Sequence, residues 1–191
     1  TRRLITAAFD ASAIEFRHTV LAELDDGGSP FIDAATRVLA SPPTGVRNEV
    51  FAREAPALFA EAARDALDRA EVSADQVTHV ITASCTGFFA PGPDYRLVRD
   101  LGLPPTVERD HLGFLGCAAA LPALRSAARI CAIQPSAVVL VVCGELCSIH
   151  VRASADPDQI VSAAVFADGA AAAVVTGGGP SDRPLLELDA F

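Results

Sequence analysis

Five cysteines and four histidines are the side chains in this sequence best suited to covalent or acid–base chemistry, and one cysteine stands apart by its setting. Cys117 follows the run Gly113-Phe114-Leu115-Gly116 and opens an alanine-rich stretch, CAAALPALRSAARI, with helical spacing. That order places a thiol at the start of a helix, behind glycines that let another molecule's backbone or thioester come close. Helix N-termini carry partial positive charge and free N–H donors, and both favour a thiolate. A thiolate there suits acyl transfer from a thioester, because a covalent acyl-enzyme splits one difficult step into two easier ones. The same position also suits an inert buried thiol, since free cysteine often packs as a small hydrophobe.

The other cysteines offer less. Cys85, Cys131, Cys143 and Cys147 lie in or beside apolar segments. Cys143 and Cys147 are four apart, but no second pair or histidine cluster completes a zinc site, so no metal is expected. An odd number of cysteines without a pairing pattern points to reduced thiols and a cytoplasmic setting. His150 is a lone histidine after Cys147-Ser148-Ile149, suited to a structural or pocket-lining place more than to a base.

Composition narrows the function classes. The chain has 15 basic and 24 acidic residues, a net charge of −9, and no basic cluster, which argues against nucleic-acid and anionic-membrane partners. The longest apolar run, Ala163 to Thr176, is broken by Asp168-Gly169 and is too short to span a membrane. No signal-peptide pattern opens the sequence. A length of 191 residues suits one domain, 1–191, with no linker or internal repeat to divide it.

The elements that must position Cys117 are legible as alternating helices and strands. Residues 1–24 hold an apolar stretch, with Val20, Leu21 and Leu24 suggesting a short strand or helical turn. DDGGSP (25–30) and ASPPTGVRN (40–48) read as loops. From Glu54 to Ala70 apolar residues recur with helical spacing (Ala55, Leu58, Phe59, Ala62, Ala63, Ala66, Leu67), which predicts an amphipathic helix with Pro56 in its first turn. Val77–Ala83 is a buried strand, Ser84 to Asp94 a loop, Tyr95–Leu101 a helix ending at Gly102, and Thr106–His111 an extended piece. The helix after Cys117 runs to about Cys131, with Pro122 in its first turn or at a kink. Ala137–Cys143 is a continuous apolar strand of the kind covered on both faces. A helix over Asp158–Ala164, a turn at Asp168-Gly169, a strand over Ala170–Thr176, a loop GGGPSDRP and a strand beginning at Leu185–Leu188 complete the chain. The class is α/β with a mixed, mostly parallel sheet flanked by helices.

The strings VTHVITASCTGFFAPGPDYRLVRDLGLPPTVERDHLGFLGCAAALPALRSA, VLVVCGELCSIH and VFADGAAAAVV, in this order and spacing, resemble the N-terminal half of a bacterial type III polyketide synthase of the chalcone synthase superfamily. The resemblance covers roughly Ser12 to Thr176. It implies a homodimeric, cytoplasmic enzyme of thiolase-like fold that condenses malonyl-CoA units onto an acyl-CoA starter and cyclises the product without metal or redox cofactor. Cys117 then matches the nucleophile. Cys85, Thr86 and Gly87 match the loop lining the acyl cavity, where a packed loop cysteine is the plainer reading of Cys85. Phe166 matches the phenylalanine at the cavity entrance, with core packing as the alternative, and His150 falls at a pocket-shaping position. Arg17 in AIEFRH matches a segment that meets the phosphates of coenzyme A, although Glu15 departs from the pattern and a solvated surface arginine is the slightly better reading.

The resemblance further implies a catalytic histidine and asparagine from a C-terminal half. The sequence resembles an N-terminal half trimmed at both ends, so a C-terminal half or partner chain is expected to supply them. A non-catalytic binding or assembly subunit and a ketoacyl synthase III-type condensing enzyme are the alternative readings, and SCTGFFAPGPDY with ELCSIH favours the polyketide branch.

Overall fold

The structure, a computed structural model, describes residues 1–22, 30–33, 35–178 and 184–188. The chain divides into two compact units. The first comprises Thr1–Glu54 and Glu145–Gly169, the second Ala55–Gly144 and Ala170–Phe191.

The described helices and strands run α1 (Arg2–Ala11), α2 (Thr44–Arg69), β1 (His79–Ser84), α3 (Pro93–Leu101), β2 (Glu108–Gly113), α4 (Ala120–Ile133), β3 (Val138–Leu146), α5 (Pro157–Val165) and β4 (Asp168–Thr176). Four strands form one sheet in the order β2-β1-β3-β4. β1 pairs in parallel with β2, His79 opposite Glu108 through Ser84 opposite Gly113. It pairs in parallel with β3 on its other side, His79 opposite Val139 through Ala83 opposite Cys143. The architecture is therefore the expected α/β one, with helices between mostly parallel strands.

β1 is buried along its whole length, with Val80, Ile81 and Ala83 apolar and only His79, Thr82 and Ser84 polar. One face of the sheet packs on α4. Ala123, Ala127 and Cys131 of the helix meet Ile81, Val139 and Val141 of the strands. The three helical positions are spaced four apart and all are small, so the helix lies close to the sheet. On the other face Val80, Thr82, Leu140 and Val142 are fully enclosed. A side chain at Gly144 would collide with the Phe59 ring, whose Cζ lies 2.8 Å from where a Cβ would stand. The glycine is the notch that admits the aromatic.

Several expectations hold in detail. α3 ends at Gly102, whose φ of +66° is the left-handed cap glycine favours. Pro122 is the third residue of α4, within its first turn. Others are corrected. α2 begins at Thr44, within the stretch 40–48 read as a loop, and Pro56 is therefore interior to the helix and not in its first turn. The helix survives the lost hydrogen bond because Phe51, Ala55, Phe59, Ala63 and Leu67 are all buried along it. Val20–Ala22 form neither strand nor helix, and Leu24 with most of the 25–30 loop lies outside the described residues. Leu185–Leu188 form no strand: Leu185 and Leu186 are 97% and 83% exposed. Most of the GGGPSDRP loop before them also lies outside the described residues.

Gly144→Ala is expected to destabilise the protein by about 1–3 kcal/mol through overpacking against Phe59. Urea unfolding of the variant measures this, and an unchanged midpoint would contradict the notch.

Candidate active site

The second unit carries the thiol. β2 ends at Gly113, and the chain then turns through Phe114, in a left-handed conformation at φ +59°. Gly116, at φ +77°, holds a conformation open to glycine at no steric cost. A single 3-10 turn, Cys117–Ala119, leads directly into α4. Cys117 thus stands just beyond the carboxyl end of a parallel strand and at the amino end of a helix, where ligands of α/β sheets commonly bind. It is exposed and not packed as a buried thiol.

The loop after β1 lies alongside. The Phe114 amide donates to the Ser84 carbonyl at 3.1 Å, and the Phe88 and Phe114 rings meet edge to face with centroids 6.1 Å apart. Cys85 and Thr86 are half-buried and Gly87 is buried. The hydroxyls of Ser84 and Thr86 lie 3.4 Å apart. Phe88, Phe114, Leu115 and Leu121 are each more than half exposed, so the thiol has apolar surface on both sides of it in sequence. Fold and loop together bring Cys85, Thr86 and Gly87 into the same unit as Cys117.

The far end of that loop is fixed by an ion pair that the sequence did not signal. Asp94, in the first turn of α3, meets the Arg109 guanidinium of β2, and Arg109 also lies over the Tyr95 ring at 5.5 Å. A carboxylate in the first turn of a helix is favoured by the dipole as well. Gly92 gives Asp94 room to fold back, since a Cβ there would sit 2.6 Å from Asp94 Oδ1.

Arg17, His150 and Phe166 belong to the first unit. Phe166 caps the C-terminus of α5, its amide donating to Ser162 at 2.9 Å. At 46% exposed it is not a core residue. His150 is exposed at the end of the 3-10 turn Cys147–His150. Its Nδ1 lies 2.8 Å from the Arg47 guanidinium, which also donates to Thr44 Oγ1 at 2.9 Å. Arg17 is heavily engaged within the protein. Its Nε donates to the Ala164 carbonyl at 2.9 Å, its Nη2 to the same carbonyl and to Ser12 Oγ, and its Nη1 to the Ile14 carbonyl. The guanidinium also lies 4.7 Å over the Phe9 ring. It ties the N-terminal segment to the end of α5 and is thus more than a solvated surface charge.

Asp168 and Gly169 are not the turn that the sequence suggested. They open β4, and Gly169 does not adopt the left-handed conformation. The Asp168 carboxylate is buried and accepts from three donors, the Ser148 amide, the Ser148 hydroxyl and the Val20 amide. A single acid inside the apolar string VFADGAAAAVV was the available signal, because a buried charge must be matched by donors.

Among the described residues no group of three or more His, Cys, Asp or Glu side chains is arranged to hold a metal. No helix among them is long and apolar enough to cross a membrane.

Comparison with known proteins agrees with this geometry. Residues 2–180 match the family of chalcone and stilbene synthases, N-terminal domain. The chain is 35% identical over 146 residues to the alpha-pyrone synthesis polyketide synthase-like Pks18 of Mycobacterium tuberculosis, covering 75% of this chain and 37% of that protein. It superposes on 1,3,6,8-tetrahydroxynaphthalene synthase of Streptomyces coelicolor, a bacterial type III polyketide synthase, with a TM-score of 0.79 and 30% identity, covering 93% of this chain and 48% of that one. For PKS-I of the brown alga Ectocarpus siliculosus the TM-score is 0.83 at 30% identity, covering 96% of this chain and 49% of the other. The chain spans about half the length of these solved relatives.

The thiolate attacks the methylene carbon of iodoacetamide and displaces iodide. Burial pushes the Cys131 thiol up, so at a given pH a smaller share of it is ionised, and its labelling should rise only above the ordinary thiol range. At pH 8 exposed Cys117 should be labelled well before Cys131, as followed by peptide mass spectrometry. Equal rates at the two positions would contradict this placement.

Proposed function

This chain belongs to the chalcone and stilbene synthase family, whose N-terminal domain it matches, and from that premise we propose that it is the nucleophile-bearing half of a type III polyketide synthase. Cys117 is the observation that carries the reading: an exposed thiol at the amino end of α4, behind a glycine turn.

In the reaction the Cys117 thiolate attacks the carbonyl of an acyl-CoA starter. The carbon–sulfur bond to coenzyme A breaks, and its thiolate leaves and takes up a proton. Malonyl-CoA then loses carbon dioxide, and the resulting carbanion attacks the acyl thioester on Cys117. The cysteine thiolate departs, and the product is an acyl-CoA longer by two carbons with a ketone at the old thioester carbon. Repetition and cyclisation give the polyketide. Acyl-CoA and malonyl-CoA are substrates, and the chemistry calls on no further cofactor.

Negative charge develops on the thioester oxygen in both stages, and donors aimed at that oxygen contribute most of the stabilisation. A histidine and an asparagine from a C-terminal half are assigned that work, in keeping with a chain that spans about half of its solved relatives. Cys85, Thr86, Gly87 and Phe166 are assigned to contacts with the acyl chain, and His150 to shaping its pocket. The half-exposed Phe166 ring and the apolar surface flanking Cys117 favour this assignment. Arg17 is left out of the contacts with coenzyme A, because its donors serve Ala164, Ser12 and Ile14. The complete enzyme is a cytoplasmic homodimer on this reading.

Residues 1–191 alone are expected to release carbon dioxide from malonyl-CoA only at background rate. Adding a C-terminal half that carries the histidine and asparagine is expected to raise the rate, and Cys117→Ala to prevent product formation. Robust turnover by residues 1–191 alone would contradict the divided site.

A further inference from the structure

The first unit contains one buried carboxylate with an unusual number of obligations. Asp168 Oδ1 accepts from the Ser148 amide at 2.7 Å. Its Oδ2 accepts from the Ser148 hydroxyl at 2.5 Å and from the Val20 amide at 2.8 Å. The Asp168 amide in turn donates to the His18 carbonyl at 2.9 Å. The residue is 9% exposed and Ser148 is 8% exposed. Four hydrogen bonds on one residue thus join three segments distant in sequence: 18–20, the turn Cys147–His150, and the start of β4.

The placement of these segments gives the cluster its meaning. Phe166 stands two residues before Asp168, and His150 two residues after Ser148. Arg17 reinforces the same corner by binding the Ala164 carbonyl, two residues before Phe166. A carboxylate accepting hydrogen bonds in a buried setting holds its donors more strongly than neutral partners do. An amide in its place would turn an NH2 group toward the one donor at Oδ1 or the two donors at Oδ2.

We propose that Asp168 is a positioning residue that sets the turn bearing His150 against the base of Phe166 and so helps fix which acyl chains the synthase accepts. The specificity part rests on the function proposed above, whereas the positioning part does not. Hydrogen bonds to a fixed carboxylate allow little slack, so loosening one should shift the residues two positions away.

Ser148→Ala tests this more gently than Asp168→Asn, because it removes one donor and leaves both main-chain bonds. Two measurements are made on each variant and on the unaltered protein. The first is iodoacetamide labelling of Cys147, with Cys131 as internal control. The second, made with a C-terminal half carrying the histidine and asparagine present, is the distribution of acyl groups captured on Cys117 from a mixture of short, medium and long acyl-CoAs. Ser148→Ala should label Cys147 about tenfold faster, the local opening expected when one hydrogen bond to a charged group is lost, with Cys131 unchanged. Its captured acyl distribution should shift while the iodoacetamide rate of Cys117 stays the same. Asp168→Asn should do both more strongly; if it fails to fold, Ser148→Ala decides alone. Unchanged Cys147 labelling in Ser148→Ala, or a matching rise at Cys131, overturns the positioning role. An unchanged acyl distribution beside faster Cys147 labelling overturns the link to substrate choice. If the unaltered protein captures no acyl group while Cys147 responds as expected, the proposed function falls and the positioning role stands.

Discussion

The contact on which the second unit depends is the seam of small side chains between α4 and the sheet. Ala123, Ala127 and Cys131 face Ile81, Val139 and Val141. Larger residues at the helical positions would push the axis outward, and interiors packed at crystal-like density leave no slack to absorb that. Because α4 is held close, its amino end is fixed relative to the carboxyl ends of β1 and β2. Cys117 occupies that end, four residues beyond β2. The position of Cys117 is thus a consequence of small residues spaced along the helix behind it.

The two units use different physics to set their candidate site residues. In the second, dispersion and burial set the seam, and the loops beside Cys117 are held by the Ser84 carbonyl bond, the ring pair of Phe88 and Phe114, and the Asp94–Arg109 ion pair. In the first, charged groups do much of the ordering. Arg17 gathers carbonyls from its own segment and from α5, and Asp168 gathers amide and hydroxyl donors. Charged groups used in this way are directional and unforgiving, because removing one partner leaves the other desolvated.

Much of this was legible in the sequence, and the pattern of what was not is instructive. The strand β3 announces itself as a continuous apolar run, β1 as a stretch rich in β-branched residues, and α4 by its helical spacing, with Gly102 and Pro122 as reliable punctuation. Cys117 was visible because glycine turn, thiol and helix stand together in sequence. Local signals misled where long-range packing prevailed. Pro42, Pro43 and Gly45 suggested a loop, yet α2 begins at Thr44 and carries Pro56 in its interior, held by the buried face from Phe51 to Leu67. Leu185 and Leu186 look like a strand, but apolar alternation makes no strand without a ladder to join. Partnerships such as Asp94 with Arg109, or Asp168 with Ser148 and Val20, span 15 to 148 positions, beyond what spacing along the chain can reveal.

The account turns on Cys117 as the residue that carries the acyl chain. Its most direct test is to incubate the protein, together with a C-terminal half that carries the histidine and asparagine, with an acyl-CoA and map the adduct by peptide mass spectrometry while measuring released coenzyme A. The account predicts one acyl group on the peptide containing Cys117, matched by an equal amount of free coenzyme A. Acylation of Cys85, Cys131, Cys143 or Cys147 with Cys117 left unmodified would contradict it.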